Sequence, residues 1–241
     1  MRKSLDKYFL SDIVYQLVNY KVGKMGRTST AKEKLISSAI ELIGNRSYNA
    51  VGVQELCDHS GVKKGSFYHF FPSKRDLTLE AIDAMWTKFK EQMLDPIFNS
   101  DIAAFEKLNV LINKSYEYQS SAKECTGCVT GCGIGNLALE LSTQDEIIRQ
   151  KIEQIFEEWA QYFEDVIVDA INEGDLSVDT DPRSTAQAIL AYMEGVSLMG
   201  KTFNDPTMLN RLGEGMVQLC ISKKKMLVIL VYQLKLSNLS V

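Results

Sequence analysis

Residues 51–74 have the sequence VGVQELCDHSGVKKGSFYHFFPSK. Its pattern predicts two short helices, at about 53–59 and 63–70, separated by a tight turn. Gly61 permits the sharp backbone turn, and Val62 is placed to fill the angle between the two helices. The second helix is too short and too polar at its start to be a core helix. The stretch therefore predicts a helix-turn-helix.

This helix-turn-helix, about residues 51–70, presents polar side chains where such motifs meet DNA. The first turn of its second helix carries lysines, a glycine and a hydroxyl, which suit contacts with phosphates and base edges. Lys74 begins the next helix, where backbone amides also favour an anion. The candidate DNA contacts are Gln54, Lys63, Lys64, Gly65, Ser66, Tyr68, His69 and Lys74. The alternative is a packed scaffold without DNA contact, which is the role we expect for Phe67, Phe70 and Phe71.

Charge is divided unevenly along the chain, whose 241 residues carry a net charge of −4. Residues 26–75 hold eight Lys or Arg and four Asp or Glu, whereas residues 76–222 hold ten and twenty-five. A basic module attached to an acidic body favours a polyanion partner for the module alone. Chance clustering of solvated charges is the alternative explanation.

Helical periodicity extends through most of the chain. The first helix begins near Ser29 or Thr30, has one apolar face and ends at Gly44-Asn45. Ser73 is a typical N-cap residue for a long helix that ends near Met93. Further helices are predicted at about 103–119, 133–141, 144–172, 182–203 and 206–221. No stretch shows the alternation of apolar and polar residues that is typical of a strand next to a hairpin turn. The sequence therefore predicts an all-α fold.

The helix-turn-helix resembles the signature of the TetR family of transcriptional regulators. The run GVKKGSFYHFFPSK, residues 61–74, is similar to that family's Gly-Val turn, small-residue recognition helix, Tyr-His pair and Phe-x-Ser-Lys ending. The preceding helix, with Leu35, Ala39 and Leu42 on one face, also fits the family. One departure is Gly52, where the family often has Ser or Thr, and it removes a hydroxyl cap for a phosphate contact.

The resemblance implies a DNA-binding regulator, with repression its expected action. It implies an N-terminal three-helix helix-turn-helix domain at 26–80 and a C-terminal helical ligand-binding and dimerisation domain at 81–222. The implied partners are a palindromic operator in double-stranded DNA, a second copy of the chain and a small-molecule inducer. Residues 1–25 are read as an N-terminal extension and residues 223–241 as a tail, neither with an assigned role.

In the family, the last two helices pack against their copies in a four-helix dimer interface. Here these helices are predicted at about 182–203 and 207–221. Their apolar residues are Ala186, Ile189, Leu190, Met193, Val196, Leu209, Leu212, Met216 and Leu219. Core packing within one subunit is the alternative role for these residues.

Several other classes of protein find no support in the sequence. The longest apolar run, residues 226–232, is far shorter than the roughly 20 residues that span a bilayer. No secretion signal is evident, so we expect a cytoplasmic protein that does not associate with membranes. Gly-rich phosphate loops, zinc-protease helices and nucleophile elbows are also missing. We therefore expect neither an enzyme nor a bound cofactor.

Three cysteines lie close together at positions 125, 128 and 132. Cys132 directly precedes a predicted helix, where backbone amides stabilise a thiolate. The TGC run that ends at Cys132, followed by LALELS, is similar to TetR-type repressors related to the N-ethylmaleimide reductase repressor and the acrylate-responsive repressors. That resemblance implies that Cys132 senses electrophiles or oxidants. The run GKTF, residues 200–203, resembles a stretch of the N-ethylmaleimide reductase repressor in which a lysine lies near the sensing cysteine, which implies that Lys201 lies near Cys132. Cys125 and Cys128 are candidate resolving thiols that can form a disulfide with Cys132.

Other roles for these cysteines stay open at this stage. Cys125, Cys128 and Cys132 together supply three thiolates for a metal-responsive regulator, although the fourth ligand of a zinc site is missing locally. The Cys-x-x-Cys pair also invites a thiol redox enzyme, but no βαβ pattern surrounds it. Cys132 can instead be a small buried hydrophobe in a helix-packing position. Cys57 and Cys220 fall on apolar faces and are predicted to lie in the core.

Overall fold

The computed structural model describes residues 29–218 and residue 220, and every regular element among them is a helix. The helices are α1 (Ser29–Asn45), α2 (Val53–Ser60), α3 (Lys64–Phe70), α4 (Lys74–Phe89), α5 (Asp95–Phe98), α6 (Ala104–Thr126), α7 (Gly133–Leu141), α8 (Glu146–Asn172), α9 (Pro182–Phe203) and α10 (207–218). The predicted all-α fold is confirmed. The predicted extension at 1–25 and the tail at 223–241 lie outside the described residues.

The helix boundaries follow the local signals in the sequence closely, with two exceptions. The bounds of α7 and α9 are the predicted ones, and Ser73 caps α4 by accepting a hydrogen bond from the backbone N–H of Asp76. However, α6 continues past the predicted end near residue 119, because Ala122 is buried and extends the apolar face. A π-helical turn, Lys90–Leu94, also interrupts the predicted helix that was expected to run to Met93.

The described residues divide into two compact units, of which the first comprises 29–93 and 117–155. In this unit α1 packs against α2, α3 and α4, and α7 packs against both α1 and α4. The largest fully buried side chains of the unit include Leu35, Leu56, Phe67, Phe71, Leu77 and Ile82. Cys57 is buried beside them, as predicted. Helix α7, which the sequence placed with the C-terminal domain, therefore packs with the helix-turn-helix.

The second compact unit comprises residues 94–116 and those from 156 onward. Phe98 packs edge-on against Phe163 in its core, with ring centroids 5.9 Å apart. Lys107 is buried and forms an ion pair with Asp169, at 3.3 Å from Nζ to Oδ2. Cys220 is also buried, as predicted.

Most of the apolar residues predicted for the dimer interface belong to the core of this second unit. Six of them are buried within the single subunit: Ala186, Ile189, Leu190, Val196, Leu209 and Met216. Their assignment to the interface is therefore corrected, because their side chains already pack inside the protomer. The large apolar side chains that α9 exposes are instead Leu198, Met199 and Phe203.

Candidate DNA-binding and sensor sites

The turn between α2 and α3 has the geometry that the sequence predicted. Gly61 adopts the left-handed conformation with φ of 67° and ψ of 22°, which favours glycine. Val62 donates its backbone N–H to the carbonyl of Cys57 at 3.0 Å and buries its side chain. These contacts fix the angle at which α3 leaves α2. We call α1, α2 and α3 together (residues 29–70) the reading head.

The first turn of α3 faces solvent with its polar groups unengaged. Lys63, Lys64, Gly65 and Ser66 are all exposed, and Lys63 caps the helix without a side-chain hydrogen bond. Within residues 29–218, no hydrogen bond or ion pair holds the side chains of Lys63, Lys64 or Ser66. Two ammonium groups, a hydroxyl and uncapped backbone amides are thus available to an anion.

Other predicted contact residues lie on the same two helices. Tyr68 is exposed and packs edge-on against the buried Phe67, with ring centroids 5.1 Å apart. His69 is exposed and packs in the same manner against Phe70. Gln54 is exposed on α2 and donates to Asp58, one turn further along the helix, at 2.9 Å. The structure brings these side chains to the surface of the reading head, and their contact with DNA stays a prediction.

Lys74 has partners within its own chain that the sequence did not reveal. Its ammonium donates to the carbonyl oxygens of Tyr48, at 2.9 Å, and Val51, at 3.0 Å. It also lies 3.8 Å from the centroid of the Tyr48 ring. Burial lowers the pKa of Lys74, and the nearby Glu140 charge opposes this effect. Lys74 thus holds the loop at residues 46–52, which we call the clamped loop, and its contact with phosphate stays a prediction.

Glu140 holds the clamped loop from a second helix, α7. Its carboxylate accepts hydrogen bonds from the Ser47 hydroxyl at 2.8 Å, the Tyr48 N–H at 3.0 Å and the Asn49 N–H at 3.1 Å. Burial by itself raises the pKa of Glu140, but these three donors and the charge of Lys74 outweigh burial and lower it. The role of Glu140 was not predictable from the sequence, because its partners include backbone groups about 90 residues away.

Cys132 is the N-cap residue of α7, as the sequence predicted. Its Sγ accepts a hydrogen bond from the backbone N–H of Gly135 at 3.3 Å, and the residue is half-buried. The phenol of Tyr118 is close by. The pKa of Tyr118 is raised, mainly by burial and to a smaller extent by the charge of Cys132, whereas a hydrogen bond with Thr130 acts to lower it. A thiol at this place meets the backbone amides that favour a thiolate.

The residues just before Cys132 are held by Gln119, a buried side chain that sequence analysis missed. Its Oε1 accepts from the N–H of Thr130 at 3.0 Å and the N–H of Gly131 at 3.2 Å. Its Nε2 donates to the carbonyl of Gly131 at 2.9 Å. Asn136 donates to the carbonyl of Thr130 at 3.1 Å from the other side. The loop that presents Cys132 is therefore fixed by side chains of α6 and α7.

The other predicted sensor residues are exposed. Cys125 and Cys128 lie at the surface as free thiols, and Lys201 lies on α9 in the second compact unit. The predicted proximity of Lys201 to Cys132 stays a prediction. Among the described residues, no three His, Cys, Asp or Glu side chains converge in a way that suits a metal ion. The metal-responsive alternative therefore finds no support in this part of the chain.

Two family models match the chain. Residues 35–81 match the model for bacterial regulatory proteins of the tetR family, and residues 104–216 match the tetracyclin repressor-like C-terminal domain. The transcriptional regulator AcuR of Cereibacter sphaeroides is 30% identical over 173 residues, which cover 72% of this chain and 77% of AcuR. The transcriptional repressor DhaR of a Mycobacterium species is 24% identical over 177 residues, covering 73% of this chain and 85% of DhaR.

Solved structures have the same fold. The regulatory protein TetR from Rhodobacter sphaeroides superposes with a TM-score of 0.70 and 28% identity, covering 78% of this chain and 98% of that protein. The reduced form of NemR from E. coli gives a TM-score of 0.67 at 19% identity, covering 78% of this chain and 97% of NemR. At that level of identity the likeness to NemR concerns the fold alone. No helix in the described part of this chain is both long and apolar enough to cross a membrane.

Proposed function

The chain belongs to the TetR family of bacterial regulatory proteins, and we propose that it is a repressor that releases a palindromic operator when an effector acts on its C-terminal helices. Proteins of this family are DNA-binding transcription regulators and not enzymes. In this proposal residues 26–80 read DNA, and residues 81–222 respond to the effector and form the dimer. The observation that carries the DNA-binding role is the exposed, unengaged first turn of α3.

Dimerisation is assigned to the face of α9 that the single subunit leaves exposed. Ala188, Ala191, Gly195, Leu198 and Thr202 recur every three or four residues along this face and are all exposed. Small residues at such spacing let a second helix approach closely. A reading head contacts few base pairs, so two heads on one dimer supply the affinity and the symmetry that a palindrome requires.

The dimer proposal is tested by one pair of substitutions on α9. Leu198 is 49% exposed in the subunit, whereas Leu190 is 7% exposed. Leu198→Glu should therefore give folded monomers, with operator affinity reduced by roughly 10²-fold or more because the heads no longer bind as a linked pair. Leu190→Glu should unfold the subunit by burying an unpaired charge. Sedimentation that finds Leu198→Glu still dimeric would place the interface elsewhere.

The effector class we propose is a soft electrophile that reacts at Cys132. The support is the position of the thiol at the N-cap of α7, the fixed loop before it and the resemblance to the N-ethylmaleimide reductase and acrylate-responsive repressors. The thiolate attacks the β-carbon of an activated alkene. An S–C bond forms, the C=C π bond breaks, and the α-carbon takes a proton from water. The added group at Sγ no longer fits the first turn of α7.

The sensor proposal is tested with N-ethylmaleimide as the probe. Wild type, Cys132→Ser and the control Cys125→Ser are each treated, and binding to an operator duplex is measured by fluorescence anisotropy. Wild type and Cys125→Ser should release the duplex, whereas Cys132→Ser should stay bound. Equal release by wild type and Cys132→Ser, or retention by all three, would show that Cys132 is not the sensor.

A further inference from the structure

The clamped loop joins α1 to α2, and charged side chains of two other helices hold opposite edges of its backbone. The Glu140 carboxylate of α7 accepts the N–H groups of Tyr48 and Asn49. The Lys74 ammonium of α4 donates to the carbonyls of Tyr48 and Val51. Val51 itself is fully buried and directly precedes Gly52, the N-cap of α2. A displacement of either helix therefore acts on the start of α2.

Helix α7 connects this loop to the cysteine site. Cys132 caps its first turn, and Glu140 lies near its end, so the two side chains are separated by about eight residues, or roughly 12 Å along the axis. A Cβ at Gly133 would lie 2.5 Å from the Cε atom of Met85, which shows how closely the first turn of α7 approaches α4. A short, well-capped helix that is packed this closely moves as a rigid rod rather than by bending.

We propose that Glu140 is a positioning residue that couples the movement of α7 to the reading head through the backbone of the clamped loop. This inference rests on the proposed function only in taking the reading head as the part that binds DNA. It does not require that Cys132 be the sensor. Any effector that displaces α7 would pull on Tyr48 and Asn49 through the same carboxylate.

The chemistry of the contact explains why a glutamate is needed. The carboxylate accepts hydrogen bonds from three donors, two of which are backbone N–H groups. A charged acceptor forms stronger hydrogen bonds than a neutral one. In Glu140→Gln one oxygen becomes an NH2 group, which faces a donor and repels it. The side-chain amide of Asn49 also donates a hydrogen bond to the Gln144 side chain at 3.0 Å. That bond is neutral and exposed, so it holds the loop more weakly than the Glu140 carboxylate does.

The control is Glu146→Gln, a substitution that removes the same charge from α8. The carboxylate of Glu146 is bound by Arg149 and Gln150 of its own helix, and within the described part of the chain no hydrogen bond or ion pair joins it to the clamped loop. A second variant, Ser47→Ala, removes one of the three donors to Glu140 and also the acceptor of the Ala50 N–H, while both backbone donors to Glu140 remain. It therefore gives a graded answer if Glu140→Gln folds poorly.

The experiment measures hydrogen exchange of backbone amides with and without a saturating DNA duplex that wild type has selected from a random library. In wild type, DNA bound to the reading head should slow exchange in the clamped loop and at amides 137–141 of α7 by roughly tenfold. In Glu140→Gln, amides 48 and 49 should exchange faster in the free protein, and the effect of DNA on α7 should disappear. Ser47→Ala should fall between them, and Glu146→Gln should match wild type.

Three results would overturn the proposal: an unchanged effect of DNA on α7 in Glu140→Gln, the same loss in Glu146→Gln, or no effect of DNA on α7 in wild type. The amides of 160–167, in middle turns of α8 that bury Phe163, Val166 and Ile167, provide an internal reference for global destabilisation. A merely structural role for Glu140 would speed exchange everywhere and leave the effect of DNA on α7 in place. Failure of the sensor proposal is seen separately, as wild type that stays on DNA after alkylation.

Discussion

The first turns of α3 and α7 differ in how their hydrogen-bonding groups are used, although both helices belong to the same compact unit. At α3 the capping residue Lys63 makes no side-chain hydrogen bond to any residue that the structure describes, and the polar groups that follow are exposed. At α7 the cap is a thiol that accepts a backbone N–H, and Gln119 and Asn136 hold the preceding loop. One turn leaves its hydrogen-bonding groups to an outside partner, and the other uses them within the chain.

This difference shows which changes should affect stability and which should affect binding. Polar groups that already have internal partners stabilise the fold, and their removal leaves buried atoms unsatisfied. Groups that have only water as a partner contribute little to stability, so they are available for DNA at little cost to the fold.

Gln119→Leu should lower the free energy of unfolding by about 2–4 kcal/mol, because it leaves backbone groups of Thr130 and Gly131 without partners in a largely buried place. The measurement is urea unfolding. Gln150→Leu is the matched control, since the Gln150 amide makes an exposed bond within α8, and it should change stability by less than about 0.5 kcal/mol. An equal loss of unfolding free energy in both variants would show that the hydrogen bonds of Gln119 do not stabilise the fold.

Lys64→Ala should have the opposite effect to Gln119→Leu, because it should weaken DNA binding and leave stability nearly unchanged. Stability should stay within about 0.5 kcal/mol of wild type, while affinity should fall by roughly tenfold for all DNA sequences. The slope of log affinity against log salt should decrease in magnitude by about one, as expected for the loss of one phosphate contact. Lys114→Ala removes the same charge from α6 and should leave the salt slope as it is. A Lys64→Ala variant with the salt slope of wild type would show that Lys64 does not contact phosphate.

Capping substitutions should show the contrast on a smaller scale. Ser73→Ala removes the side-chain cap of α4 and should lower stability by about 1 kcal/mol. Lys63→Ser gives α3 a side-chain cap that it lacks and should raise stability by about 0.5 kcal/mol while weakening DNA binding. Thermal unfolding and anisotropy measure the two effects. A Lys63→Ser variant that gains stability and binds DNA as tightly as wild type would contradict the division between groups that stabilise the fold and groups that bind DNA.

The smallest expected effect is the pH dependence of the bond between Glu140 and the clamped loop. The pKa of Glu140 in the folded chain lies below its usual value of 4.5, so its contribution to stability is present above that value. This contribution is lost as the pH falls through the lowered pKa. The stability difference between wild type and Glu140→Gln should therefore be largest near neutral pH and shrink below about pH 4. A difference that stays constant down to about pH 3 would contradict this.

Local signals predicted the parts of this structure that depend on neighbours in sequence. The turn at Gly61, the cap at Ser73 and the start of α7 after Cys132 are each determined within about four residues, and all were confirmed. The partners of Lys74 and Glu140 were not predicted, because they are backbone atoms 26 and 92 residues away. Any residue has such backbone atoms, so no residue type in the sequence marks them.

The apolar residues of α9 show a related limit of sequence patterns. Apolar periodicity indicates which residues avoid water, but it does not distinguish a core within one subunit from a surface that meets a second subunit. Leu190 and Leu198 look alike in the sequence, and only the structure shows that the first is buried in the protomer while the second is exposed. Most of the residues predicted for the interface are therefore core residues of the protomer, and the exposed face of α9 stays a proposal for the interface.

The way in which Lys74 and Glu140 hold the clamped loop has a consequence for its evolution. In an ordinary salt bridge the two charges can be exchanged, and related sequences then show compensating changes at the two positions. Here each side chain holds main-chain atoms, and a peptide N–H cannot become an acceptor nor a carbonyl a donor. A double reversal, Lys74→Glu with Glu140→Lys, would lose the contacts at both edges of the loop. The two positions should therefore be constrained separately among relatives, without the covariation by which paired contacts are usually recognised.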